Sequence, residues 1–197
     1  MGLETSVICV FAGASPGARG AYAKAARALG EELVSRGLDL VYGGSKVGLM
    51  GAVANAVLEG GGRVTGVIPN ALVAKEVAHE GLTELRVVAS MHERKALMAE
   101  LAGGFIALPG GMGTLEELLE ILTWSQLGFH AKPSGLLNAE GYYDGLVEFF
   151  DHLVRERFVK EAHRAMALVE ADPGLLLDAM SAYVPPRVAK WLDASST

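Results

Sequence analysis

The stretch FIALPGGMGTLEE, residues 105–117, contains a short apolar run, a glycine-rich loop and the beginning of an amphipathic segment. A short apolar run bounded by turn residues is typical of a strand buried on both faces of a parallel sheet. The leucines at positions 115, 118, 119 and 122 have the spacing of one helix face. The stretch therefore predicts a strand, a loop and a helix in direct succession.

The same order recurs along the chain, because the loops GASPG (13–17) and GGSKVG (43–48) also follow apolar runs. Repeated units of this kind predict an α/β fold: a single-domain, Rossmann-like open parallel sheet with helices on both faces. The domain is expected over residues 1–184, with a fraying tail over 185–197. The predicted strands cover residues 7–12, 38–42, 63–68, 82–88, 105–108, 134–137 and 166–169. The predicted helices cover residues 20–36, 47–59, 93–101, 115–127, 142–156 and 173–183.

The composition argues against several classes of protein. A length of 197 residues, 51% of them hydrophobic, suits one compact soluble domain. The formal net charge of −6 argues against a nucleic-acid binder, which needs a basic surface. No run of apolar residues is long enough to predict a membrane span. The single cysteine, Cys9, provides no disulfide framework, so a reducing cytoplasm is expected.

The glycine-rich loops do not match the common nucleotide-binding fingerprints. In GMGTLE, residues 111–116, a carboxylate stands where a dinucleotide fingerprint needs its third glycine. Gly43 and Gly48 have the outer spacing of a P-loop, but Leu49 and Met50 occupy the positions of its Lys and Ser/Thr. The histidines, at positions 79, 92, 130, 152 and 163, lack a metal-binding spacing. We therefore expect no cofactor and no metal.

The loop before the helix at residue 115 has two interpretations. Glycine N–H groups and a helix N-terminus can together bind a phosphate, and the helix dipole contributes about 0.3–2 kcal/mol. Alternatively, Thr114 caps the helix and Glu117 completes a capping box. The preceding residues PGGMG, 109–113, favour phosphate binding, since an ordinary helix cap does not need several glycines in front of it. Two helix faces are expected to be free for a ligand, one with Glu116, Glu120 and Thr123, the other with Glu117, Ile121 and Trp124.

A second polar cluster, MHERK at residues 91–95, opens the helix that precedes the fifth predicted strand. Its position after the fourth strand puts Arg94 and Lys95 near the same edge of the sheet, where cations can offset phosphate charge. The solvated face of an amphipathic helix explains the local sequence as well.

These segments resemble the Lonely Guy family, the cytokinin riboside 5′-monophosphate phosphoribohydrolases long labelled lysine decarboxylases. PGGMGTLEE, residues 109–117, matches the family motif P-G-G-x-G-T-x-x-E. The resemblance extends over nearly the whole chain and implies a Rossmann-like fold and a homodimer. It also implies hydrolysis of purine nucleoside 5′-monophosphates, such as AMP or N6-prenyl-AMP, to a free base and ribose 5-phosphate. Further similar segments are VF (10–11), DLVYGG (39–44), GLMG (48–51), GVIP (66–69), MHERK (91–95) and WSQLG (124–128).

The same resemblance assigns the catalytic roles to Arg94 and Glu117. Two positions depart from the family pattern: Ala12 replaces a frequent cysteine and Ser45 replaces a frequent third glycine. Neither change removes a group that the mechanism requires. The substrate-binding residues expected from the resemblance and the loops are Ser15, Gly44, Ser45, Glu76, Lys95, Met98, Gly110, Gly111, Met112, Gly113, Thr114, Leu115, Glu116 and Thr123.

Cleavage of an N-glycosidic bond builds positive charge on the ribose, which a carboxylate such as Glu117 can stabilise or use to activate water. Arginine keeps its proton in proteins, so Arg94 is expected to clamp phosphate or ribose and to support the departing base. Two alternatives remain. A pyridoxal-phosphate decarboxylase would need Lys95 as its Schiff-base lysine. A nucleotide or cofactor carrier would use the glycine loops without chemistry.

Overall fold

The computed structural model describes residues 6–73 and 78–186, which contain seven strands and seven α-helices. The strands are β1 (Val7–Phe11), β2 (Asp39–Tyr42), β3 (Val64–Pro69), β4 (Glu84–Val88), β5 (Gly104–Ala107), β6 (Ser134–Leu137) and β7 (Ala167–Glu170). The helices are α1 (Gly20–Ser35), α2 (Gly48–Glu59), α3 (Met91–Leu101), α4 (Met112–Leu127), α5 (Asp144–Arg155), α6 (Glu161–Arg164) and α7 (Pro173–Ser181). Short 3₁₀ turns cover Asn70–Leu72 and Ala139–Gly141.

The strands form one parallel sheet in the order β4-β3-β2-β1-β5-β6-β7. The central strand β1 pairs with β2, where Val10 lies opposite Tyr42, and with β5, where Val10 lies opposite Ile106. The strand order reverses at β1, and ligands of open α/β sheets bind beyond the carboxyl ends of the strands at such a point. The predicted open parallel sheet is confirmed.

Side chains of β1 alternate between two cores, as the pleat of a strand requires. Ile8 and Val10 pack with α1, α2 and α7 on one face of the sheet. Cys9 and Phe11 pack with α3 and α4 on the other. A third cluster joins α4 to α5 and β6. Helices therefore cover both faces, as predicted.

The predicted elements agree with the observed ones to within three residues at their ends. Helix α6 was not predicted, because its four residues are too few to show a helical period. Residues 187–197 lie outside the described part of the chain, so a domain boundary at residue 184 stays a prediction. None of the helices described in residues 6–73 and 78–186 has the length and apolar character that a membrane crossing requires.

Helix α4 differs from its prediction in two ways: it lacks the expected capping box, and a different face of it is buried. It begins at Met112 with Gly111 as N-cap, three residues before the predicted start, so Thr114 lies inside the first turn and does not cap it. No acidic residue lies in that turn. Leu119, expected in the apolar stripe, is 43% exposed, whereas Glu117 and Ile121 are buried. The buried face is therefore rotated, and its members are Thr114, Glu117, Leu118, Ile121, Leu122 and Ser125.

Candidate active site

The glycine-rich loops meet at the carboxyl edge of the sheet, beside β1. The Gly13 N–H donates to the carbonyl oxygen of Pro109 at 3.1 Å, which joins the loops after β1 and β5. The Leu49 N–H donates to the carbonyl oxygen of Gly13 at 2.9 Å, which joins the start of α2 to the same loop. The loops after β1 and β5 and the start of α2 thus lie together at the end of β1, where the strand order reverses.

The first turn of α4 offers N–H groups to this point. A Cβ on Gly110 would overlap the side chain of Thr114, so only glycine lets the loop pass this close to the helix. The first N–H groups of an α-helix have no acceptor within it, and here they belong to Met112, Gly113 and Thr114. Met112 is 85% exposed, so an anion can approach this turn.

A pocket of about 400 Å³ opens between the loops and two tyrosines. The Tyr142 hydroxyl donates to the carbonyl oxygen of Gly110 at 2.5 Å. Its ring meets that of Tyr22 edge to face, with the ring centroids 5.5 Å apart. The pocket is lined by Gly13, Ala14, Ser15, Gly17, Tyr22, Leu49, Pro109, Gly110, Gly111 and Tyr142.

Arg94 and Glu117 form a buried ion pair. The distance from Arg94 Nη2 to Glu117 Oε1 is 3.5 Å, and their side chains are only 6% and 10% exposed. Charges taken out of water attract each other strongly but lose hydration, so burial is tolerated only for paired groups. The fold thus holds a guanidinium and a carboxylate together at the end of the central strands.

The start of α3 fixes the backbone of Arg94. The Ser90 hydroxyl accepts from the Glu93 N–H at 3.1 Å, and the Glu93 carboxylate accepts from the Ala89 N–H at 2.7 Å. The first bond caps the helix at Ser90, and the second ties Glu93 back to the residue before the cap. Arg94 is buried and Lys95 nearly so, so the interpretation of these two residues as a solvated helix face is wrong.

Lys95 lies between two carboxylates of α4. Its Nζ is 2.5 Å from Glu116 Oε1 and 3.1 Å from Glu120 Oε2. Burial disfavours the charged ammonium, but the hydrogen bonds to Glu116 and Glu120 outweigh it, so the pKa of Lys95 is raised above 10.5. A Schiff-base lysine must lose its proton to react, and this environment opposes that loss. The geometry therefore disfavours a pyridoxal-phosphate decarboxylase.

Comparison with known proteins identifies the family of the chain. Residues 50–180 match the family model described as "Possible lysine decarboxylase". The cytokinin riboside 5′-monophosphate phosphoribohydrolase LOG of Oryza sativa subsp. japonica is 52% identical over 90% of this chain and 74% of its own. The enzyme LOG1 of Arabidopsis thaliana, which has the same name, is 51% identical over 90% of this chain and 84% of its own. The chain belongs to the Lonely Guy family.

Solved structures with the Lonely Guy fold include proteins with other names. The molybdenum cofactor carrier protein of Chlamydomonas reinhardtii superimposes with a TM-score of 0.68 and 21% identity, over 88% of this chain and 94% of that one. The molybdenum cofactor binding protein of Rippkaea orientalis gives a TM-score of 0.65 and 21% identity, over 89% and 95%. At this identity the likeness establishes the shared fold alone.

Several residues selected through the Lonely Guy resemblance lie around the loops. Ser15 lines the pocket, and its hydroxyl accepts from the Gly17 N–H at 3.3 Å. Gly44 has a positive φ of 79°, which favours glycine. Ser45 is buried, and its carbonyl oxygen accepts from the Tyr42 hydroxyl at 3.1 Å. Glu76 lies outside the described residues.

Two other residues of the expected substrate-binding set, Met98 and Thr123, lie further from the loops. Met98 is 1% exposed and packs in the core between α3 and the sheet, one turn below Arg94. The Thr123 hydroxyl donates to the carbonyl oxygen of Leu119 at 2.7 Å. Thr123 also lines a second, apolar cavity of about 200 Å³ next to α5 and α6, whose lining includes none of the glycine loops. Leu115 is half-buried on α4.

Two tyrosines that were not predicted from the sequence, Tyr22 and Tyr142, line the pocket in this region of the Lonely Guy fold. Glu120, predicted on a face free for a ligand, holds Lys95 instead. Tyr142 follows β6, at the same sheet edge as the glycine loops, and this position is the signal that could have identified it. In the described part of the chain, His, Cys, Asp and Glu side chains form no group of three suited to a metal ion.

Proposed function

We propose that this protein hydrolyses the N-glycosidic bond of purine nucleoside 5′-monophosphates, including cytokinin ribotides, to give a free base and ribose 5-phosphate. The observation that carries the proposal is the buried Arg94–Glu117 pair, which lies beside an exposed helix N-terminus and three glycine-rich loops. Relatives that are 51–52% identical to this chain over 178 aligned residues are named as enzymes of this activity.

The 5′-phosphate is held mainly by backbone N–H groups. The two neighbouring ion-paired groups, Arg94 with Glu117 and Lys95 with Glu116 and Glu120, combine two cations with three carboxylates. Their sum does not favour an anion, whereas the N-terminus of α4 and the loop glycines direct N–H groups toward it. We assign the phosphate to residues 110–114, which cover the end of the loop and the beginning of α4, and to Ser15 in the facing loop.

Glu117 acts on the sugar. As the bond between C1′ and the base nitrogen breaks, positive charge grows on the ribose, and the carboxylate stabilises that charge and orients the attacking water. The water adds to C1′ and passes a proton to the Glu117 carboxylate, while the bonding electron pair leaves with the base nitrogen, which takes up a proton to give the free base. Burial strengthens the electrostatic stabilisation, because Glu117 acts in a medium of low dielectric.

Arg94 acts as a clamp. Its guanidinium does not release a proton in proteins, so it donates charge-assisted hydrogen bonds to phosphate, ribose or the departing base. The planar fork fixes the geometry of such bonds, as a flexible ammonium would not. Lys95, held by Glu116 and Glu120, provides a second cation of fixed position on the next residue of α3.

A homodimer in a reducing cytoplasm is the state that we propose for the working enzyme. Large apolar side chains at the surface, Phe129, Phe149 and Phe158 among them, support association with a second copy. The described cysteine, Cys9, is a buried free thiol, as suits a reducing compartment. Light scattering at micromolar concentration should give twice the chain mass of 20.6 kDa, and a mass of one chain would contradict the dimer.

A carrier without chemistry is the second candidate, because the fold is shared with molybdenum cofactor carriers. Product chromatography separates the two functions. After incubation with AMP, GMP, CMP and N6-isopentenyl-AMP, we expect free base from the purine monophosphates. A protein that binds these compounds and releases no base is a carrier. The ranking of AMP and its N6-substituted form also reports on the apolar part of the base site, where one methylene contributes about 1–3 kcal/mol.

A further inference from the structure

Gly43 follows β2 directly and lies buried beside the guanidinium of Arg94. A Cβ placed on Gly43 would overlap Arg94 Nη2, and it would lie 3.1 Å from Arg94 Cζ and 3.2 Å from Met50 Sδ. These three nearest atoms all belong to side chains. The space next to Gly43 is therefore occupied by the end of Arg94.

The backbone conformation does not explain this glycine. Gly44, the next residue, has a φ of +79°, in the region that favours glycine, whereas Gly43 does not have a positive φ. An alanine can adopt the backbone conformation of Gly43. What glycine provides at this position is the absence of a side chain.

We propose that Gly43 is a positioning residue, whose missing side chain leaves the space that holds the Arg94 guanidinium against Glu117. The same atom, Nη2, lies against Gly43 and 3.5 Å from Glu117 Oε1. The backbone of Arg94 is fixed by the capped start of α3, so the position of the guanidinium depends on what surrounds its end. This inference rests on the proposed function, in which that guanidinium clamps the substrate.

The substitution Gly43→Ala can displace the Arg94 guanidinium without disturbing the fold. The atoms that the added methyl group meets are the ends of flexible side chains, so the backbone can stay in place while Nη2 moves. Misplacement of a reacting or clamping group by about 1 Å costs about 100-fold in rate. We expect Gly43→Ala to lower kcat for AMP by about 10- to 100-fold, with a smaller change in KM, because phosphate contacts are made by other loops.

The test is a double-mutant cycle with wild type, Gly43→Ala, Arg94→Ala and the double variant. If Gly43 acts through Arg94, Gly43→Ala has less than about a twofold effect on kcat once Arg94 is gone. An equal fold-loss in both backgrounds shows that Gly43 acts on its own, and it overturns the inference. Gly145→Ala is the matched control, because a Cβ there meets no atom within 4 Å, and it should keep full activity.

A crystal structure of Gly43→Ala tests the same contact without activity. We expect Nη2 to be displaced by about 1 Å or more, with the backbone of β2 and α3 unchanged. An undisplaced guanidinium overturns the inference. If wild type releases no base from AMP, the proposed function fails, and the crystal structure still decides whether Gly43 positions Arg94. If Gly43→Ala does not fold while the double variant does, the overlap with Arg94 is the cause, as the inference requires; if Arg94→Ala folds and the double variant does not, Gly43 acts independently of Arg94 and the inference is overturned.

Discussion

Arg94 of α3 and Glu117 of α4 meet end to end, with 3.5 Å between Nη2 and Oε1, although they belong to different helices. Neither side chain is more than one-tenth exposed. Removing one partner of such a pair leaves the other charge buried, which costs more than the loss of an exposed ion pair. The contact therefore links the stability of this edge of the sheet to the chemistry proposed for it.

Glu117→Gln should lower kcat for AMP by about 10² or more, because the amide cannot stabilise the ribose cation as a carboxylate does. Gln keeps an acceptor for Arg94 but loses the charge, so we expect a loss of about 1–3 kcal/mol in the free energy of unfolding. Thermal melting and single-turnover kinetics measure the two effects. A variant within about threefold of wild type would remove Glu117 from the mechanism.

Arg94→Lys keeps the positive charge and removes the planar fork. We expect kcat to fall by about tenfold or more, with circular dichroism unchanged. Arg27→Lys is the control, because Arg27 pairs with Glu59 at 2.7 Å on the exposed surface and should tolerate the change. Equal activity of the two variants would show that the charge of Arg94 is sufficient.

The fold could be predicted because each strand, loop and helix is indicated by a short, continuous stretch of sequence. Each strand is a short apolar run and each glycine loop follows one, so the order of elements and their meeting at one edge follow from the sequence. The start of α4 could not be predicted in this way. Glycine is a poor helix former, so residues 111–113 predict a loop, whereas the helix begins at Met112, where Thr114 packs against Gly110.

The pairing within the site depends on the packing of helices. The spacing of Glu117 from the leucines predicts that it lies on a face free for a ligand, but the rotation of α4 turns it toward Arg94 and the core. Likewise, nothing in the letters GG at residues 43–44 distinguishes a glycine needed for its φ from one needed for space. To predict the burial of Glu117 or the role of Gly43, one needs the distances between side chains of separate helices and strands, which the sequence does not contain.

Tyr142→Phe tests the pocket wall. The change removes the hydroxyl that donates to the Gly110 carbonyl oxygen and leaves the ring against Tyr22. The net value of such a hydrogen bond is about 0.5–1.5 kcal/mol, so KM for AMP should rise by about 2- to 12-fold. We expect kcat to change less than KM. An unchanged KM would show that the loop keeps its position without Tyr142.

Treatment with EDTA should leave kcat/KM unchanged, since the described residues provide no group of three ligands for a metal ion and the proposed steps use only groups of the protein and water. Activity is compared before and after dialysis against EDTA and after re-addition of zinc or magnesium. Activity lost on dialysis and restored by one of these metals would contradict this expectation.

The proposed activity is the hydrolysis of a nucleoside monophosphate that the protein binds through its phosphate. The direct measurement is the yield of adenine and ribose 5-phosphate from AMP, with adenosine as the matched substrate that lacks the anion. Two hydrogen bonds to phosphate at about 1.5 kcal/mol each give a preference of about 10² in kcat/KM for AMP. We predict equal amounts of the two products from AMP, at that preference or above. No adenine from AMP, or equal kcat/KM for AMP and adenosine, would contradict the account.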